Sequence, residues 1–460
     1  MGRPVVIIIT ALAVYLTLYR GAVVAFVTLY LPALLLLNTT QKINLPGLPD
    51  MNVSYGIIYG IVGGLVLKGG EPFPFRWSMV DTLMMLCTLS TVVTGMTTRY
   101  VYTGVSIFGE QFLGYLMPYF LARVMFHSAE MRRRALWICV VCAFIIAFFA
   151  LIEMRLQPYF LSRLLKGVGL FTGPTTQVLY RFGLARAQTS FDHPIDMGNA
   201  CILLTVMIGI FAMTTSVGVK NFWVWLSMCA AFCSSLSSFS FTSWVGIAAT
   251  IAMFTTLWVF SFMRRAVILF VVVLFCGFAY MTVHLVNVDV DKRREQAEEV
   301  GQTVQDSMFV RAMIVQHSMP FASTAGFFGW GDTIRHSQLA LESVDNSYML
   351  FTMRRGFVFM TLFLMLPVAI AVRATRAFRR AHHPALWMPL AAGVSVICGI
   401  MAAMYTVWFG FAYSVLWTMM FGLVTSMCDV LQYGPPARQA IPTMGQPVQV
   451  PRGFAMARGM

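Results

Sequence analysis

The chain has 460 residues, 58% of them hydrophobic and 11% charged. That balance excludes a water-soluble domain and calls for a bilayer, whose hydrocarbon core of ~30 Å takes about 20 apolar residues per helix. The net charge of +14 is gathered in short connections between apolar runs rather than in a stripe, so it argues for membrane topology and against nucleic acid.

In chain order the apolar runs fall at 4–19, 21–37, 54–67, 79–96, 105–126, 135–154, 197–215, 222–239, 242–262, 266–286, 347–372, 386–406 and 409–428. Several are short or share a boundary, so about 12–14 spans are expected. Backbone N–H and C=O groups find no water inside lipid, and the spans are therefore read as helices. The fold class is all-α, a polytopic membrane protein. The first run lacks a small-x-small cleavage site and Arg20 leads straight into the second run, so it is read as retained. Arg3 and Arg20 flank it and leave the side of the N-terminus open.

The basic clusters Arg132-Arg133-Arg134, Arg264-Arg265 and Arg373/Arg376/Arg379/Arg380 each sit in a short connection. The positive-inside rule places those connections in the cytoplasm. Alternation then puts 155–196 and 287–346 on the opposite side. The expected organisation is an N-terminal helical region over 1–286 that includes the external segment 155–196, a large external loop over 287–346, C-terminal helices over 347–431, and a disordered cytoplasmic tail over 432–460. Helix-spaced small residues, as in Gly60/Gly63/Gly64 and the Ser234–Ser243 stretch, are expected where helices approach closely. All nine cysteines lie in the apolar runs or at their ends. Cys139 and Cys142 have redox-pair spacing, but inside an apolar helix without a basic neighbour they read as packing.

The 287–346 loop holds nine of the chain's 18 acidic residues, which makes it the first place to look for aqueous chemistry. Residues 288–306 read as a solvated surface helix. Beyond them come Arg311, His317, Pro320, a turn at Gly326…Gly329-Trp330-Gly331, His336, and Asp345-Asn346 at the next span's entrance. Asp345 and Asn346 have two readings, a helix cap or part of a reaction centre. His336 is a surface histidine or a base. Asp289-Val-Asp291 has the spacing of a metal-binding acidic pair, yet it lies at a membrane exit far from Arg311–Asn346, so no metal and no other cofactor is assigned. In the earlier external segment, Arg186 precedes Phe191-Asp192-His193-Pro194, where Pro194 suits the first turn of a helix. Arg186 at this depth either snorkels to lipid phosphate or presents a guanidinium fork to a bound phosphate or diphosphate.

These features, in this order, resemble the O-antigen ligase/polymerase family of bacterial envelope glycosyltransferases. The resemblance covers roughly 105–375. Leu116-Met-Pro118-Tyr119-Phe-Leu-Ala-Arg123 is similar to a helix-end pattern of polymerase members. Arg186…Phe191-Asp-His193-Pro194 matches the family's Arg-x(4)-Phe-x-His-Pro, and Asn346 followed after nine residues by Gly356 resembles its His-Asn-x(9)-Gly. Two departures stand out. Asp345 occupies the position that is histidine in ligases, and Ser240-Phe241-Thr242-Ser243 stands where the family commonly has Ser-Arg. The first favours a polymerase over a ligase onto lipid A-core.

The resemblance implies a GT-C-like, metal-independent, inverting glycosyltransferase of the bacterial inner membrane, acting in O-antigen or exopolysaccharide biosynthesis. Its donor would be a glycan on undecaprenyl diphosphate at the periplasmic face, and its acceptor another glycan. Arg186 and Arg311 would bind the diphosphate, and Asp345 or His336, beside Asn346, would activate the acceptor hydroxyl. Membrane lipids surround it, and a chain-length regulator or other polysaccharide-export proteins are the expected partners. The rival from another class is a lipid-linked oligosaccharide flippase or transporter, which would usually show internal repeats and midplane charges. No repeat is visible between the halves, and Glu110 and Glu153 are the best-placed near-membrane acids. A purely structural membrane partner has no positive support.

Overall fold

The computed structural model describes residues 2–37, 50–70, 76–98, 101–167 except 157, 180–259 except 182, 307–331, 346–380, 384–405 and 411–433, with isolated positions at 43 and within 272–280. The expected span 266–286, the expected surface helix 288–306 and the tail lie outside the continuously described residues. Among the described residues the protein is a helical bundle. Seven helices are long and apolar enough to cross a membrane, and four shorter apolar helices accompany them. Side chains such as Ile8, Phe148, Leu151 and Trp258 point outward and are exposed, the surface that lipid rather than water accepts. The chain is a multi-pass membrane protein.

Helix α1 (Gly2–Arg20) turns at Gly21 into α2 (Ala22–Leu36). Helix α3 (Val53–Leu67) starts on Asn52, whose side chain accepts from Tyr55 N at 2.8 Å. α1 and α3 run side by side in the same direction, with Gly56 and Gly60 against Thr10 and Gly64 against Thr17. Added Cβ atoms on those glycines would collide, whereas one on Gly63 would only reach ordinary contact with Val14, at 4.0 Å. The expected close approach is therefore made by two of the three glycines named from the sequence, with Gly56 as the third. Helix α4 (Met79–Thr98) is followed by α5, which covers 101–127. Both α2 and α5 contain a wide π turn, Phe26–Tyr30 and Phe112–Leu116, directly before the helical pieces that carry Pro32 and Pro118. A proline ring leaves no N–H for the carbonyl four residues back, and the wider turn accommodates that loss.

Helix α6 (Ala129–Arg155) is capped by Ser128, and a short α7 (Phe160–Gly167) follows. A two-strand hairpin, β1 (Tyr180–Arg181) with β2 (Leu184–Ala185), leads to α8 (Pro194–Met213). Then come α9 (Phe222–Ser237), α10 (Phe241–Val259), α11 (Ser307–Thr324), α12 (Ser347–Phe378), α13 (Pro384–Met404) and α14 (Phe411–Tyr433). Cys139 and Cys142 are both buried and free, as packing residues.

The helix ends sort onto two faces. On one, four charged side chains from four helices meet. Asp81 ion-pairs with Arg123, Arg123 with Asp429 at 2.6 Å, and Asp429 with Arg373. Two acids and two bases balance in charge. Tyr119 and Ser78 hydroxyls also donate to Asp81, at 2.8 and 2.6 Å, and Arg76 stacks on Tyr433. Arg123 and Asp81 are fully buried. Pairing plus extra hydrogen bonds is what makes such burial tolerable. The Arg132–Arg134 and Arg373–Arg380 clusters belong to this basic face. The opposite face, hereafter the loop face, carries the hairpin, the start of α8, the α9–α10 junction and the start of α12.

Candidate functional site

On the loop face the first organising group is Glu153, near the end of α6. Its carboxylate is buried and accepts three backbone N–H groups, from Leu161 (3.3 Å), Gln188 (3.0 Å) and Thr189 (2.7 Å). One side chain thereby ties together the chain entering α7 and the chain leaving the hairpin. Ser162 Oγ donates to Thr189 O, and Ser190 Oγ donates to Leu35 O at the end of α2.

The hairpin carries two arginines to one place. Arg181 donates to Phe239 O at 2.7 Å, and Arg186 donates through Nε to Ser238 O at 2.8 Å. Neighbouring carbonyls of the α9–α10 junction thus hold two cations side by side. Burial and the Arg181 charge pull the Arg186 guanidinium down to about 10, so it stays cationic at neutral pH. Such a pair costs repulsion, and an anion relieves it. Three non-glycine residues have left-handed backbone among the described residues, Tyr159, Thr189 and Phe239. All three lie in this assembly, and each conformation costs about 1–3 kcal/mol, a strain that tends to gather at functional sites.

The helix start expected at Pro194 is present. His193 Nδ1 accepts from Ile195 N at 3.2 Å as the cap, and Asp196 sits in the first turn. Packing around this entrance is tight. A Cβ at Gly198 would meet the hydroxyls of Ser238 and Ser243, and Ser235 Oγ donates to Gly198 O at 2.8 Å. The serine-rich stretch therefore lets α8, α9 and α10 converge under the two arginines.

The second feature is a break in α12. Gly356 has φ 78° and ψ 179°, which interrupts the helix after Arg355. The turn after α11 fills the gap with its own backbone. Trp330 N donates to Met353 O (2.8 Å), Phe357 N to Gly326 O (3.1 Å), and Val358 N to Phe327 O (3.1 Å). Backbone groups that the break would strand are satisfied by this strap. Gly329 and Gly356 touch so closely that neither has room for a side chain.

The third feature is a cavity of about 240 Å³ beside that break, walled by α4, α5, α12 and α14. Along α4 it extends from Thr98 to Met84, about 20 Å of helix rise. Arg354 and Arg355 from the last turn before the break line it, with Glu110, Gln111 and Tyr115 from α5. Gly331, in the turn after α11, closes on Thr98 at one end of it. Arg355 lies over the rings of Phe351 and Phe359, 5.3 and 4.6 Å from their centroids.

Of the residues expected from the sequence, Arg186 is in the arginine pair and does not line the cavity. Asn346 is the cap of α12, buried, with Oδ1 accepting from Tyr348 N (3.1 Å) and Met349 N (3.2 Å). Arg311 falls within α11, and its side chain lies outside the described residues, as do Asp345, His336, Asp289 and Asp291. Among the described residues no group of three metal-ligating side chains occurs. Sequence reasoning missed Arg181, whose strand places it beside Arg186, and Arg354 and Arg355, which sit next to a glycine that was noted for its spacing. No protein-family model matches the chain, and no curated protein is similar to it.

Proposed function

We propose that the protein is a membrane glycosyltransferase that polymerises lipid-diphosphate-linked oligosaccharide units at the periplasmic face. The observation that carries this reading is the Arg181–Arg186 pair, two guanidinium groups pinned by adjacent carbonyls at the mouth of a helix. Each fork keeps further N–H donors, the geometry that a diphosphate takes bidentately. The acceptor hydroxyl attacks the anomeric carbon of the donor with inversion and the bond from that carbon to the lipid diphosphate breaks. The hydroxyl proton passes to Asp345 or His336, and the diphosphate leaves with both electrons of the broken bond. Arg181, Arg186 and Arg311 stabilise the charge it gains. Asn346 holds the end of α12 beside the base. The ordered motifs from Arg186 to Gly356 support the same family of reactions.

A second reading, a flippase for lipid-linked oligosaccharide, has one observation in its favour. α12 is interrupted next to an internal cavity, and transporters place their substrate sites at discontinuous helices. Proteoliposomes loaded with the lipid-linked oligosaccharide separate the two. The transferase yields longer glycans and free lipid diphosphate. Movement between leaflets with no new glycosidic bond establishes the flippase.

A further inference from the structure

We infer that the strap which fills the Gly356 break also inserts its tip, Phe327 and Phe328, among the lipid acyl chains of the leaflet on the loop face. This membrane-binding surface is independent of the transferase reading, and neither result of its test alters that reading.

The tip is a tight turn with the sequence Gly326-Phe327-Phe328-Gly329. Both glycines have left-handed backbone, at φ 68° and 71°, a conformation that a residue without Cβ adopts at no steric cost. The backbone of the turn is spent on α12, since Gly326 O accepts from Phe357 N and Phe327 O from Val358 N. On the side of α11, Val315, Ser318, Ala322 and Ala325 are buried, and Phe321 meets Trp330 edge-on at 6.2 Å. The strap is thus held through its backbone and through these inward side chains. Its two phenylalanines are left projecting outward, with Phe327 75% exposed and Phe328 40%.

The depth of the tip follows from α12. Below the break this helix carries a stripe of exposed side chains, Phe357, Thr361, Met365 and Val368, spaced to lie on one face. The stripe runs from the Arg373–Arg380 cluster on the basic face up to the strap. The helix rises about 28 Å between Arg376 and Phe357, close to the ~30 Å hydrocarbon thickness of a bilayer. Phe357 therefore stands at the edge of the hydrocarbon, and its N–H is the one that holds Gly326. The tip continues the lipid-facing stripe of α12 instead of standing in water above it.

The neighbours of the tip select lipid as the occupant. Ser323, Thr324 and Gly326 are exposed beside it and offer a partner protein no apolar area, so the patch is narrow and widens only downward along α12. Two aromatic rings carrying no polar atom lose their contact with water among acyl chains. A short segment that reads as part of an aqueous loop thus works as an interfacial anchor. It keeps the strap in the break and holds the turn after α11 at headgroup depth.

The test uses fluorine NMR on the full-length protein in nanodiscs of ordinary phospholipid. A para-trifluoromethylphenylalanine replaces Phe327 or Phe328, a change that keeps the aromatic ring and leaves the backbone contacts alone. Dissolved oxygen concentrates in hydrocarbon and a nickel chelate stays in water, so the two reagents report the two surroundings. The same probe at Phe148, exposed on α6, gives the lipid reference, and at Ser323 the water reference. The inference predicts that Phe327 and Phe328 follow Phe148, with oxygen broadening several times that of the chelate. Broadening dominated by the chelate, as at Ser323, overturns it. A signal insensitive to both reagents also overturns it, because protein and not lipid then covers the tip.

Discussion

Asn346 illustrates how one residue can carry two readings that the backbone separates. Its Oδ1 accepts from two N–H groups of the first turn of α12, which is the work of a cap. Aspartate caps equally well. Asn346→Asp should therefore hold stability within about 1 kcal/mol and turnover within a few-fold; a loss of ~10²-fold or more in a folded protein would put the amide on the substrate instead. Glu153 is the opposite case, a residue noted only as an acid near the membrane that turns out to hold three backbone donors. Glutamine offers one acceptor oxygen and points an NH₂ at donors. Glu153→Gln should cost about 1–3 kcal/mol, read as a lower melting temperature and faster proteolysis between 156 and 190. An unchanged melting temperature and digestion pattern would show that the hairpin is held by other contacts.

At the scale of elements, α12 is the informative one. The run 347–372 reads as a single span by hydropathy, and Gly356 was noted only for its distance from Asn346. What the pattern cannot report is that Gly326, Phe327 and Trp330 thread into the helix and replace its hydrogen bonds, because that pairing joins segments some 30 residues apart through backbone atoms alone. Gly356→Ala should be severe. Its φ of 78° disfavours a side chain and the added Cβ would strike Phe327 O, for a loss of more than about 1–3 kcal/mol. The strap should then leave the helix, so a cysteine placed at Phe328 in that background should react with a thiol reagent at least several times faster than in the parent. Equal rates would mean that the break does not depend on the strap. By contrast, helix existence was legible wherever composition is the cause. Pro194 starts α8, apolar runs make α4, α6 and α13, and Gly60 and Gly64 mark where α1 meets α3. Arg181 escaped notice because strand pairing, which places it beside Arg186, leaves a weak signal in a six-residue hairpin.

For the whole molecule, the two faces do different work. The basic face is locked by Asp81, Arg123, Asp429 and Arg373, from the starts or ends of four helices. Asp429 lies 306 residues from Arg123, so no local pattern announces the lock, although the Pro118–Arg123 helix end was singled out. Removing one member leaves buried charge without its partner, at a cost of about 3–5 kcal/mol. Arg123→Met should therefore fail to accumulate as a monodisperse protein in detergent, whereas Arg134→Met, which removes an exposed pair with Glu130, should behave as the parent. Normal accumulation of Arg123→Met would show that the four helix ends are held by packing alone. The loop face instead gathers strained backbone and the paired arginines, and the cavity runs inward from Thr98 on that side toward Met84.

The central claim is that the paired arginines hold the diphosphate that leaves during glycan transfer. Its most direct test is release of lipid diphosphate from a lipid-diphosphate-linked oligosaccharide by the purified protein in liposomes, with Arg181→Lys and Arg186→Lys alongside. The account predicts glycan elongation with stoichiometric release by the parent. Each lysine variant should fold and insert yet turn over about 10- to 100-fold more slowly, since a charged hydrogen bond is worth about 1.5–3 kcal/mol and an ammonium cannot reproduce the fork. Parental release rates in both variants, or no release by the parent under conditions where the donor is intact and accessible, would contradict it.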